Sequence, residues 1–293
     1  MILIVESGAT KTDWCALSPD GTVQRLQTPG MNLSTISAEA NAAVFADAVA
    51  QFSGVDEVHF YAAGLLEFPT ELDKVFKERF PKATCEYASD LVAAARAACG
   101  HAPGIAAILG TGSNTCQYDG EKMVRNIHGG GFIIGDEGSA AALGRMFLAD
   151  LVKDLVPEDL VEDFSVYHEV DYAAVVRNVY KTPAPSRYLG SLAPFILEHR
   201  GDAYVDALID RNFRDLIERT LIRYDRLPVG VVGGFGNACR AELERLGDEY
   251  GLTFSRFIPS PMEGTHRLPW PIKRNTLPTS CPMRSTLSAP CLA

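Results

Sequence analysis

Short apolar blocks and polar breaks alternate along the chain. Residues 2 to 5 (ILIV) form an apolar run that ends at Glu6-Ser7-Gly8-Ala9-Thr10, the pattern of a buried strand entering a tight turn. KTDWCAL follows, then Pro19-Asp20-Gly21 and TVQRLQ, which predicts a hairpin. Ser37 is placed to cap a helix running to about Phe52, VHFYAAGL at 58 to 65 reads as a strand, and Thr70 with Asp73 opens a helix. CEYAS at 85 to 89 predicts another strand, and Asp90 begins a helix to about Cys99.

The pattern then starts again. Gly104 to Leu109 (GIAAIL) is an apolar strand, Gly110-Thr111-Gly112-Ser113-Asn114 is a glycine/threonine turn, and TCQY leads through Asp119-Gly120 into EKMVRNI. Strand, glycine turn, strand and hairpin thus occur twice, which predicts a duplicated α/β domain. From Ser139 the spacing of Leu143, Met146, Phe147 and Leu151 is helical, and residues 157 to 226 read as mostly helix with a break at 181 to 185. VGVV then runs into Gly233-Gly234-Phe235-Gly236-Asn237, a helix is expected from about Ala238 to Tyr250, and LTFSRFI forms the last strand.

Length and charge narrow the choices. A chain of 293 residues suits two domains with a cleft between them, and a net charge of -10 argues against nucleic-acid or anionic-membrane partners, which need a basic face. Seven scattered cysteines without a CxxC pair suggest neither a disulfide framework nor a cysteine metal site, so a reduced, cytoplasmic protein is expected. The chain opens directly on an apolar strand, from which neither export nor anchoring is expected. Residues 265 to 293 differ in kind: they hold five prolines and four basic residues but no Asp, Glu or Gly, whereas 23 basic and 37 acidic residues precede them. This tail is expected to lie outside the native fold, and loss of a terminal apolar helix there would uncover surface that a homodimer could mask.

A glycine turn after a buried strand lets backbone N–H groups approach a phosphate closely, although one such turn is equally a plain hairpin. Two equivalent turns and the GGFGN loop are better explained by phosphate and nucleotide binding. With these motifs the sequence resembles the N-acetylglucosamine kinases and the related BadF/BadG ATPases of the actin-like, sugar-kinase superfamily. ESGATKTD (6 to 13) is similar to that family's first phosphate motif, ILGTGSNT (108 to 115) to its second, VGGFGN (232 to 237) to its adenosine motif, and GGGFIIGDEGSA (129 to 140) to its sugar-side loop.

The resemblance implies two ribonuclease H-like domains, residues 1–100 and 101–264, the second with a helical insertion, closing on ATP and an amino sugar. It implies ATP contacts from Gly8, Thr10, Lys11, Thr12, Gly110, Thr111, Gly112, Gly233, Gly234, Gly236 and Asn237. Asn32, Ser113, Asn114 and Asp136 would hold the sugar, and Asp90 would take the proton from its hydroxyl. Glu6 stands where the family has Asp, and would reach Mg²⁺ through water one methylene further out. The residues also allow plainer roles: Asp90 as a helix cap, Asp136 as an acid near a helix start, Asn32 as a turn residue, Lys11 as a solvated strand residue. Two other functions compete, a non-catalytic nucleotide or amino-sugar sensor and a dehydratase activase. The latter needs cluster-ligating cysteines where this chain has Ser139 and alanines.

Overall fold

The computed structural model describes residues 1–8, 11–30, 45–63, 65 and 70–262. The first sheet contains β1 (Ile2–Ser7), β2 (Lys11–Leu17), β3 (Val23–Pro29), β4 (Glu57–Ala62) and β5 (Thr84–Ser89), in the order β3-β2-β1-β4-β5. β1, β2 and β3 are antiparallel, whereas β4 and β5 join parallel to β1. The second sheet contains β6 (Gly104–Leu109), β7 (Ser113–Tyr118), β8 (Met123–Ile127), β9 (Val229–Val232) and β10 (Phe254–Ile258), in the order β8-β7-β6-β9-β10. Its pairing repeats the same antiparallel and parallel senses. The repeat read from the sequence is therefore a repeat of sheet topology.

Apolar residues on alternate sides of β1 separate two layers. Leu3 and Val5 point into a core with Trp14, Phe45, Phe52, Phe60 and Phe76, where the Phe45 and Phe76 rings meet edge to face at 4.7 Å. α1 (Thr70–Arg79) covers this side, burying Leu72 and Phe76. Ile4 points the other way, toward Cys15, Tyr61 and Ala93 of α2 (Asp90–Cys99). α2 also packs on the second sheet, so it is the helix the two sheets share. It ends at Gly100, whose positive φ of 63° accommodates the turn and whose N–H donates to the Arg96 carbonyl.

The second domain's other face packs against α3 (Gly131–Ile134) and α4 (Ala140–Leu151), then a helical block of α5 (Glu158–Ser165), α6 (Tyr172–Tyr180), α7 (Pro185–Gly190), α8 (Ala193–Glu198) and α9 (Ala203–Arg219). Ser139 caps α4, its Oγ accepting from Ala142 N at 3.0 Å. α10 (Gly234–Ala238) and α11 (Arg240–Tyr250) follow β9.

Several boundaries differ from expectation. The strand expected over 58 to 65 ends at Ala62, and the last strand begins at Phe254 rather than at residue 252. The helix expected from Ala238 is split at Cys239, because the GGFGN segment forms its own short turn of helix. Thr10, Asn32, Ser37 and the tail after Gly264 lie outside the described residues. No helix among the described residues is long and apolar enough to cross a membrane.

Candidate active site

The second glycine turn is held from three sides. Gly110 and Thr111 offer their carbonyls to the N–H groups of Ala140 and Ala141, each at 3.0 Å, which ties the turn to the start of α4. From β9, Gly233 adopts φ 128°, and a β-carbon there would stand 2.4 Å from the Leu109 carbonyl oxygen and 3.3 Å from Gly110 N. Only glycine fits such a contact. Gly236 is packed as closely, with Val231 Cγ1 2.6 Å from where its β-carbon would be. The predicted phosphate and adenosine motifs therefore converge at the ends of two adjacent strands. Gly234 and Asn237 are exposed beside them.

Asp136 fastens the 129–140 loop to this turn. It takes a left-handed backbone, φ 57°, which Asp tolerates better than most residues, and its carboxylate lies buried beneath two glycines. A β-carbon on Gly112 would stand 2.9 Å from Asp136 Oδ2, and one on Gly129 3.0 Å from Oδ1. Burial pushes the Asp136 carboxyl up, while backbone N–H groups of Ser113 and Gly131 draw it back. Ser113 Oγ donates to the Glu137 carbonyl at 2.8 Å, Glu137 pairs with Arg219 at 2.5 Å, and Asn212 bonds to Gly138 and Ser139. Asn212 and Arg219 lie on α9, more than 70 positions downstream, and no local pattern singles them out.

The first glycine turn is tighter. Gly8 N donates to the Lys11 carbonyl at 3.0 Å. Thr12, expected to contact ATP, has its side chain fully buried, within 2.8 Å of Ser7 Oγ and donating to the Pro29 carbonyl at 3.1 Å. The hydroxyl's one proton is thus engaged inside the sheet, and any contact of Thr12 with a phosphate would come from its backbone. Lys11 is exposed and pairs with Asp13 at 2.6 Å. Asn114 is also engaged, its Oδ1 accepting from Thr115 N and from Asn126 Nδ2.

Asp90 is the first residue of α2, following Ser89, and its Oδ1 accepts from Leu91 N at 2.9 Å. Burial raises its carboxyl, and it forms no salt bridge among the described residues. Glu6, on the α2-facing side of β1, lies opposite Asp13 on β2 and Tyr61 on β4. Its carboxyl is pushed up to about 7, first by burial and then by the charges of Asp90 and Asp13. Among the described residues no group of three or more His, Cys, Asp or Glu could by itself hold a metal ion. Two carboxylates raised by burial, Glu6 only partly offset by the Lys11 charge, do fit Mg²⁺, which favours oxygen donors and keeps much of its water.

No family model and no curated protein matches the sequence. Solved structures do. A protein from Porphyromonas gingivalis, provisionally designated an N-acetylglucosamine kinase, is 36% identical, with 91% of this chain and 98% of that chain covered and a TM-score of 0.86. This chain belongs to the N-acetylglucosamine kinase family. A second protein with the same provisional designation, from Chromobacterium violaceum, is 25% identical over 90% of this kinase and 96% of its own length, with a TM-score of 0.69. A ROK-family glucokinase from Streptomyces griseus, solved with glucose and AMPPNP, shares the fold at 16% identity and a TM-score of 0.54, covering 88% of this kinase and 94% of that chain. The fold is therefore that of the actin-like ATPases, and the family is one of ATP-dependent sugar kinases.

Proposed function

We propose that this kinase transfers the γ-phosphoryl group of ATP to a hydroxyl of an amino sugar, N-acetylglucosamine being the first candidate. The observation that carries this reading is the convergence of the Gly110 turn with the Gly233 loop, with Asp90 at the start of the helix shared by both sheets. The phosphates would rest on the Gly8 and Gly110–Gly112 turns, and the nucleoside against Gly233, Gly234 and Asn237. Ser113 and Asp136 would face the sugar side, where Asp136 also keeps the loop in place.

Phosphoryl transfer is mainly a matter of positioning and charge stabilisation. Asp90 would accept the proton of the attacking hydroxyl, a role suited to a carboxylate whose burial raises its basicity. Backbone N–H groups of the glycine turns would meet the charge gathering on the transferred group. Glu6 and Asp90 would hold Mg²⁺ through water, and the ion would offset negative charge on the phosphates.

A coupled ADP-release assay with Mg²⁺-ATP across N-acetylglucosamine, glucosamine, N-acetylmuramic acid and glucose tests the reading. Turnover with an amino sugar in preference to glucose is expected. Tight sugar binding without ADP release would favour the sensor function instead.

A further inference from the structure

α2 reads DLVAAARAAC: apart from Asp90 at its first position it carries one charged residue, Arg96. Both sheets lean on this helix. Ala93 packs with Ile4, Cys15 and Tyr61, Leu91 and Ala95 with Ala106, Cys116 and Tyr118, and Ala94, Ala97 and Ala98 with Val232 and Ile258. Methyl groups make shallow ridges, so interdigitation alone resists sliding or rotation of such a helix only weakly.

Arg96 supplies what the methyl groups lack. It is 8% exposed, and its fork grips Glu86 on β5 through Nη1–Oε2 at 2.7 Å and Nη2–Oε1 at 2.8 Å, while Nη1 also donates to Tyr61 Oη at 2.6 Å. His59 Nδ1 stands 2.9 Å from the same Glu86 Oε2. Burial works to raise the Glu86 carboxyl, yet the hydrogen bonds from Arg96 and His59 override it and hold it at about 2. Glu86 lies inside β5, four residues before Asp90, and Arg96 lies on α2, six residues after it. The ion pair thus ties β5 to α2 across the strand-to-helix junction at which Asp90 stands.

We propose that Arg96 is a positioning residue for phosphoryl transfer: its forked bond to Glu86 and its bond to Tyr61 set the rotation and height of α2, and through them the place of the Asp90 carboxylate. The proposal rests on Asp90 as the base. A two-pronged guanidinium–carboxylate contact fixes orientation as well as distance, and a buried polar group can fix register where apolar packing is permissive. Lysine would keep the charge but lose the fork.

The test uses the full chain with Arg96→Lys and the double variant Glu86→Gln/Arg96→Met, which removes both charges and so leaves neither buried alone. With Mg²⁺-ATP and N-acetylglucosamine, kcat is expected to fall roughly tenfold or more in both, with KM for each substrate within about twofold. Thermal melting is expected to stay close to the parent in the double variant. Amide exchange over 91–95 should quicken in both, a readout that needs no turnover. A double variant with parental Tm, kcat and exchange would overturn the proposal, as would losses of kcat and substrate binding that move together. If the double variant does not fold, Arg96→Lys carries the same expectations and the same overturning results. Asp90→Asn run alongside separates the two ideas: parental turnover there removes the base, whereas an inactive Asp90→Asn with fully active Arg96 variants removes only the positioning role.

Discussion

Glu6 at the end of β1 and Asp90 at the start of α2 share one half-buried face of the first sheet, and the Asp90 charge is, after burial, the main cause of the raised Glu6 carboxyl. The folded protein therefore holds the Glu6 proton more tightly than the unfolded chain, for which the ordinary value is 4.5. The stabilising effect of that proton is full below about 4.5 and is lost as pH rises through about 7. Glu6→Gln should thus be more stable than the parent at pH 8, by up to about 3 kcal/mol, with the gap closing toward pH 4.5. Urea midpoints at the two pH values check this, and an equal gap at both would contradict the assigned environment.

Asp90→Asn is expected to lower kcat by roughly 10² to 10⁴ while sugar and AMPPNP still bind, because the amide keeps the shape but cannot take the proton. The buried carboxylate has no salt-bridge partner among the described residues, so its neutral replacement should leave Tm unchanged or raise it. Calorimetric binding and a melting curve separate these two expectations from simple unfolding. Near-parental turnover would take Asp90 out of the mechanism.

Glu6→Asp shortens the side chain by one methylene and places the carboxylate where the family resemblance implies the Mg²⁺ contact. Turnover should rise, or half-maximal activity should be reached at lower Mg²⁺. A variant with equal or lower activity at every Mg²⁺ concentration would show that Glu6 is already well accommodated.

Two adjacent glycines should respond very differently. Gly233→Ala forces a side chain into φ 128° and against the Leu109 carbonyl, and is expected to cost about 2 kcal/mol or more. Gly234→Ala meets nothing within 4 Å, and its stability should stay within about 0.5 kcal/mol of the parent. Because Gly234 is exposed at the proposed nucleoside site, KM for ATP can rise there without any loss of stability. Comparable destabilisation by both variants would mean that the loop is packed differently.

Gly112→Ala tests the fastening of the two loops. The added methyl's nearest neighbour is the Asp136 carboxylate, at 2.9 Å, so the protein should fold, but the carboxylate must move away from the glycine turn. Activity is expected to fall at least tenfold with a smaller change in Tm. Gly129→Ala, whose methyl would stand 2.1 Å from the Ser113 carbonyl oxygen, should lower Tm more.

The sequence by itself determined the duplicated strand-turn-strand pattern, the start of α1 at Thr70, the span of α2 from Asp90 to Cys99 and that of β6 from Gly104 to Leu109. These follow from side-chain periodicity and from glycine, serine and aspartate acting on their immediate neighbours, so they can be read within a short window. The motifs likewise named the segments that meet at the Gly110 turn. The tertiary structure alone decided which polar groups in those segments are already engaged. The Thr12 hydroxyl bonds to the Pro29 carbonyl and Asn114 Oδ1 accepts from Asn126, each on a neighbouring strand, and neither pairing can be read from the local sequence. Nothing in DLVAAARAAC shows that Arg96 meets Tyr61, 35 residues earlier, or that Asn212 braces the loop after Asp136. A buried polar group must find a partner, but which partner it finds depends on how strands far apart in the chain are brought side by side.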